Sequence, residues 1–255
     1  MELLQRILLV AERNRLVYAG IAKALLLARH TGARLELFLC DVWQSHEATA
    51  NPVSTHDPGR ERYAREYLRC LAQMVISRDV QIELQWSCAE SVTRGVLDRL
   101  GEEPAQLVVW ASSEPFAALA AFAAPLVSQG AAVLATQGQP WRATPEFLNA
   151  LLITSWRERQ PQNLIPATWL PELLARRCGA QLQYMVASPP SLAGSIRLHE
   201  PDLITVTQDS PESAGRPEAL SRVDMSGMRA DVLFVGAARR ERIARNAHAR
   251  SLATN

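Results

Sequence analysis

Arg6-Ile7-Leu8-Leu9-Val10-Ala11-Glu12 and Ala150-Leu151-Leu152-Ile153-Thr154-Ser155-Trp156 are two versions of one pattern. Each is a short, continuous apolar run bounded by polar or charged positions. Such a run suits a strand covered on both faces, as in a parallel sheet. After the first run, 16–29 carries Leu16, Ala19, Ala22, Leu26 and Leu27 at helical spacing, and Gly32 stands where a helix stops. Leu35 to Val42 then reads as a second strand. Strand, helix and strand with short joins form a βαβ unit, whose crossover is expected to be right-handed.

The alternation continues through the first half. A polar loop over 43–58 precedes a helix from Gly59 to Arg78 with Tyr63, Tyr67, Leu68, Leu71 and Val75 on one face. Val80 to Trp86 alternates as a strand with one polar face, near an edge of the sheet. A helix from Glu90 to Leu100, a buried strand from Leu107 to Ala111, an Ala-rich helix from Pro115 to Gln129 and a strand from Ala131 to Ala135 complete the series. The order predicts a five-stranded, doubly wound α/β domain over 1–138.

Beyond the turn-rich stretch from Gln137 to Pro145 the pattern restarts. Thr31-Gly32-Ala33-Arg34-Leu35 has a counterpart in Cys178-Gly179-Ala180-Gln181-Leu182, Ala105 to Val109 in Pro201 to Thr205, and Ala131 to Ala135 in Ala230 to Phe234. The same segments in the same order predict a tandem duplication. Where the first half has 43–104, the second has only about 188–200, too short for two helices and a strand. A reduced second domain is therefore expected over 146–237, followed by a helical, arginine-rich tail over 238–255.

Bulk composition narrows the function classes. A net charge of +1 gives no bulk attraction to nucleic acid or an acidic membrane surface. No apolar run is long enough to span a bilayer. The chain begins Met1-Glu2-Leu3-Leu4 with no signal-peptide pattern, and its four cysteines lack a C-x-x-C, so reduced thiols and a cytoplasmic location are expected. Of the basic residues only Lys23 is a lysine, the single candidate for chemistry that needs a side-chain amine.

The chain resembles the bacterial universal stress proteins, and more closely the tandem, E-type members with two such domains. The residues behind the resemblance are Ile7 to Glu12, Gly32-Ala33 with Leu35, Leu107-Val108-Val109, Ala131 to Leu134 and the linker Gln139-Pro140-Trp141. The resemblance implies a five-stranded parallel fold, pairing through fifth strands and a role in surviving stress. In a tandem chain the two halves can pair with each other as an intramolecular pseudo-dimer, with a homodimer left open. Many members bind ATP through a glycine-rich loop after the fourth strand, whose glycines let backbone N–H groups approach phosphate oxygens. Here that segment reads Ala111-Ser112-Ser113-Glu114-Pro115-Phe116, without a glycine until Gly130. Glu114 repels phosphate and Pro115 lacks a donor. The adenine-side aspartate after the first strand is Glu12 in one half and Trp156 in the other. No cofactor is therefore expected, and ATP or AMP is disfavoured.

Open α/β folds place ligands at the C-terminal ends of their strands. The candidate ligand-contacting residues there are Glu12, Val42, Ser112 and Ser113, with Trp43, Trp110 and Trp156 close to the same crevice. No nucleophile elbow surrounds Ser112-Ser113, so no catalytic residue is assigned. His46, Glu47, His56 and Asp57 fit no compact metal motif and read as solvated loop. The arginines of the tail, with Glu241 interleaved, read as a solvated helix face rather than a nucleic-acid surface. The expectation is a non-enzymatic stress-response or regulatory protein that binds a protein partner or small ligand. A nucleotide sensor using another site is the alternative, and a hydrolase using Ser112, Ser113 or Glu12 a further one.

Overall fold

The computed structural model describes residues 4–13, 17–42, 58–74, 79–136, 149–154, 172–173, 176–177, 181–186, 202–208 and 230–236. The loop with His46, Glu47, His56 and Asp57, the boundary from Gln137 to Pro145, Trp43, Trp156 and the tail 238–255 lie outside the described residues.

The opening run forms β1 (Arg6–Ala11), buried along its whole length. Helix α1 (Val17–Thr31) runs two residues past the predicted end. Gly32 stops it: φ is +74°, a left-handed conformation that costs glycine nothing, and its N–H donates to Ala28 O at 2.8 Å. The chain continues as β2 (Arg34–Val42), α2 (Pro58–Met74), β3 (Ile82–Ala89), α3 (Val92–Glu102), β4 (Leu107–Ala111), α4 (Phe116–Ser128) and β5 (Ala132–Thr136). The third strand lies later than its alternation suggests, because parallel pairing runs it alongside β2 as far as Val42↔Ala89. It is an outermost strand, as its polar face predicts. Four more strands follow: β6 (Asn149–Thr154), β7 (Gln181–Val186), β8 (Leu203–Gln208) and β9 (Asp231–Gly236).

The expectation of a five-stranded sheet is corrected. All nine strands form one sheet in the order β3-β2-β1-β4-β5-β9-β8-β6-β7. The strands β1 to β5 pair in parallel, as do β6 to β9. The seam between the two sets is antiparallel, with Val133↔Phe234, Leu134↔Leu233 and Ala135↔Val232. The physical reason is the edge. Alone, β5 would end the sheet with a row of unpaired N–H and C=O groups beside apolar side chains, and β9 satisfies them.

Each face of the sheet carries its own core. On one face Val96, Leu100, Phe116, Leu119, Ala123 and Leu126 of α3 and α4 cover Leu8, Val10, Val108 and Val133. On the other, Ile21, Ala24 and Leu27 of α1 and Leu68 and Leu71 of α2 cover Ile7, Leu9, Leu37 and Val109. Both cores run across the seam: Ile204, Val232 and Phe234 join the first, Leu203, Leu233 and Val235 the second. Phe116 meets Phe234 with ring centroids 5.6 Å apart.

Candidate functional site

Strand order reverses between β1 and β4, since α1 leads from β1 to β2 on one side and α4 from β4 to β5 on the other. That opens a crevice beyond the strands' C-terminal ends. Val10 pairs with Trp110, so Glu12 and Ser112 emerge side by side. On the other side of β1, β2 continues to Val42, which is 45% exposed. Glu12, Val42, Ser112 and Ser113 thus all stand at the same end of the sheet, as expected from sequence.

Their environments differ. The Glu12 carboxylate accepts a hydrogen bond from the indole N–H of Trp110, and the Glu12 carbonyl accepts one from the Tyr67 hydroxyl at 3.0 Å. Trp110 itself is buried and stacks on Phe122 of α4 at 4.0 Å between ring centroids. It is therefore a core residue that reaches up to fix the acid at the crevice floor. Ser112 is buried, its N–H donating to Thr136 O at 3.1 Å, and its Oγ accepts the Glu114 N–H at 3.2 Å. That hydrogen bond shapes the start of the β4–α4 connection. Ser113 and Glu114 are exposed. Pro115 caps α4 without a side-chain hydrogen bond. His30, near the far end of α1, is the one histidine among the described residues, so Ser112 and Ser113 have no imidazole partner among them.

Beside Glu12 lies a second cluster that sequence reasoning did not single out. Arg13 bonds to Asp41 at 3.2 Å and sits over the Tyr63 ring, 4.7 Å from its centroid. Asp41 also accepts the Trp86 indole N–H at 3.0 Å. Burial, and after it the neighbouring Tyr18, pushes the Tyr67 phenol above its ordinary value, while Arg13 opposes them. Tyr67 thus stays a neutral hydrogen-bond donor.

At the opposite end of the strands, Arg6 and Glu36 are both buried and bonded to each other. Arg99 of α3 grips the same carboxylate with Nε at 2.8 Å and Nη2 at 3.0 Å. Its Nη2 also reaches Glu103 at 2.9 Å, and Arg34 joins Glu103 and Glu83. Burial pushes the Glu36 carboxyl up. The hydrogen bonds and charges of Arg99 and Arg6 together outweigh it and hold the group below the usual carboxylate range. Glu36, Glu83 and Glu103 lie close enough to share a metal ion. Three arginines already bond these three carboxylates, so the cluster is a charge-balanced support beneath the sheet. An arginine at the start of an apolar strand, and a glutamate between Leu35 and Leu37, were the available signals in the sequence.

No protein-family model matches the sequence, and no curated protein does. Solved structures do match its fold. A universal stress protein from Archaeoglobus fulgidus superposes with a TM-score of 0.64 at 8% identity, covering 91% of this chain and 96% of that one. A candidate universal stress protein from Pseudomonas aeruginosa gives 0.61 at 15% identity over 99% and 98% of the two chains. The fold is that of the universal stress proteins. A further P. aeruginosa protein, of unknown function, gives 0.62 at 14% identity over 92% and 93%. Across this universal-stress-protein fold the match covers nearly the full length of each chain, second half included.

Proposed function

We propose that this chain is a non-enzymatic stress-response or regulatory protein built from two universal-stress-protein units, the second reduced. It acts by binding a protein partner or small ligand, without the phosphate loop of ATP-binding members. Strand order supports the two-unit reading. β3-β2-β1-β4-β5 is followed by β9-β8-β6-β7, the same order reversed and short of one strand. The units then meet through their last strands, as an intramolecular pseudo-dimer.

The observation that carries the functional reading is the β4–α4 connection. Ser112 is buried there with its hydroxyl turned onto the Glu114 N–H, Glu114 is exposed, and Pro115 offers no donor. A phosphate approaching the start of α4 meets a carboxylate and one backbone donor fewer than a glycine loop supplies. The Glu12–Trp110 hydrogen bond points the same way, since the carboxylate at the adenine-side position is already engaged.

Titration of the full chain with ATP in a calorimeter is expected to give no saturable heat in the micromolar range. Saturable micromolar binding with hydrogen-exchange protection across 111–130 would overturn the reading. Native mass spectrometry of the purified protein then looks for a carried small molecule, and a nucleotide there would favour the sensor alternative.

A further inference from the structure

Among the described residues the exposed aromatic side chains are Tyr18 and Tyr63, at 49% and 57%. Every other aromatic ring whose burial is described is at least partly covered, as the large apolar area of a ring favours. The two open rings are not scattered. Tyr18 lies in the first turn of α1 and Tyr63 in the second turn of α2. Both phenols, and the charge of Arg13, lie close enough to Tyr67 to act on its hydroxyl. That hydroxyl in turn donates to the Glu12 carbonyl at 3.0 Å. The starts of two helices therefore bring two open rings to one corner of the crevice.

Arg13 is held at the same corner from several sides. Its guanidinium carbon stands 4.7 Å from the centroid of Tyr63, and its Nη2 lies 3.2 Å from Asp41. Asp41 is fixed independently by the Trp86 indole N–H at 3.0 Å, and the backbone next to Arg13 by Tyr67. An exposed ion pair of this kind adds little to stability, so its consequence is position rather than folding energy. A carboxylate uses the edge of a guanidinium and a ring uses one of its two faces. The second face of Arg13 is left over, and the side chain is 43% exposed. A ring that stacks on an arginine already held in place has little ordering cost to meet.

We propose that the outer face of Arg13 is a stacking site for a planar aromatic amine, with Tyr18 close by. The guanidinium recognises the ring, by cation–π attraction and by planar stacking. The surroundings choose the rest of the ligand. The carboxylates of Glu12 and Asp41 neighbour this one guanidinium, and the exposed Glu114 adds a third acid along the rim of the crevice. A ligand carrying phosphate or carboxylate is repelled there, whereas a protonated amine is attracted. The proposal rests on the small-ligand half of the proposed function and narrows it to a chemical class.

Tryptamine is the probe, titrated into the full chain and read by saturation-transfer NMR and by amide shift mapping. Indole, without the amine, and indole-3-acetate, with a negative charge in its place, are the comparators. Tryptamine should saturate, with the largest shifts at Arg13, Tyr18, Asp41 and Tyr63. Indole should bind more weakly, and indole-3-acetate at least about tenfold more weakly than tryptamine. Arg13→Lys keeps the charge but removes the planar face, and should weaken tryptamine about tenfold. Tyr63→Ala removes the support and should cost a similar factor, while Tyr63→Phe keeps the ring and should bind like the parent. Shift mapping on the parent chain tests the site without any variant. No saturable tryptamine binding, shifts centred elsewhere, equal affinity for indole-3-acetate, or unchanged affinity in Arg13→Lys would each overturn the proposal. Such a failure, with the ATP titration silent, would leave the broader functional reading standing. Micromolar ATP binding would overturn that reading whatever tryptamine does.

Discussion

Glu36 shows how one residue can carry a charge network. Its side chain is fully buried, and it remains ionised because Arg6 and Arg99 bond both of its oxygens. Glu36→Gln keeps the shape and removes the charge, leaving Arg6 buried beside a neutral amide. Breaking a buried pair from one side costs about 3–5 kcal/mol, so a comparable loss is expected in urea unfolding at pH 7. The pH dependence has a definite sign. The folded-state value lies below the ordinary 4.5, so the contribution is complete above that value and is lost as pH falls through the lower, folded-state one. The parent should lose stability in that acid range, and Glu36→Gln should show a flatter profile there. Stability measured at a series of pH values checks both. In the sequence, Glu36 was an ordinary polar position within a strand. Its partners lie on β1 and on α3, and no local pattern joins them.

Gly20 shows the same dependence at the scale of elements. It lies where α1 crosses the sheet, and a Cβ there would stand 2.9 Å from Ala111 Cβ and 3.3 Å from Leu9 Cδ1. The glycine lets the helix approach β4 and β1 at the crevice. Gly20→Ala gains about 1 kcal/mol of helix propensity. It also forces a rigid contact whose relief costs about 1–3 kcal/mol in a packed core. The steric term wins, because both contacted atoms belong to buried side chains on the sheet. A lower denaturation midpoint is expected, and an unchanged or raised one would mean that α1 slides freely. Element existence was legible here from periodicity, since all five strands and four helices of the first half lie close to their predicted positions. The ends were less so. The third strand moved with its pairing to β2, and α3 begins one residue beyond Ser91, whose hydroxyl accepts the Arg94 N–H at 3.1 Å.

For the whole molecule, the consequential feature is that β5 has its partner within the chain. Its outer edge is used by β9, so the fifth-strand pairing that the resemblance implies between molecules is satisfied internally. Light scattering with size exclusion is expected to give the mass of one chain. A dimer would require another surface, with β3 and β7 the remaining edges of the described sheet. The crevice follows the same division. Sequence alone placed Glu12, Val42, Ser112 and Ser113 at one end of the sheet, because strand ends are a local property of the apolar run and its flanks. It could not tell that Trp110 would fix Glu12, or that Ser112 would turn inward, because each contact joins segments brought together only by folding. By itself the sequence determined the alternation of strands and helices, the internal echo of Ile7 to Ala11 at Leu151, and a fourth-strand connection without glycine. The tertiary structure decided that nine strands form one sheet, that its seam is antiparallel, and that Lys23 and Asp231 meet across it. Periodicity reports which face of an element is buried, whereas edge pairing and buried charge depend on which distant element arrives there.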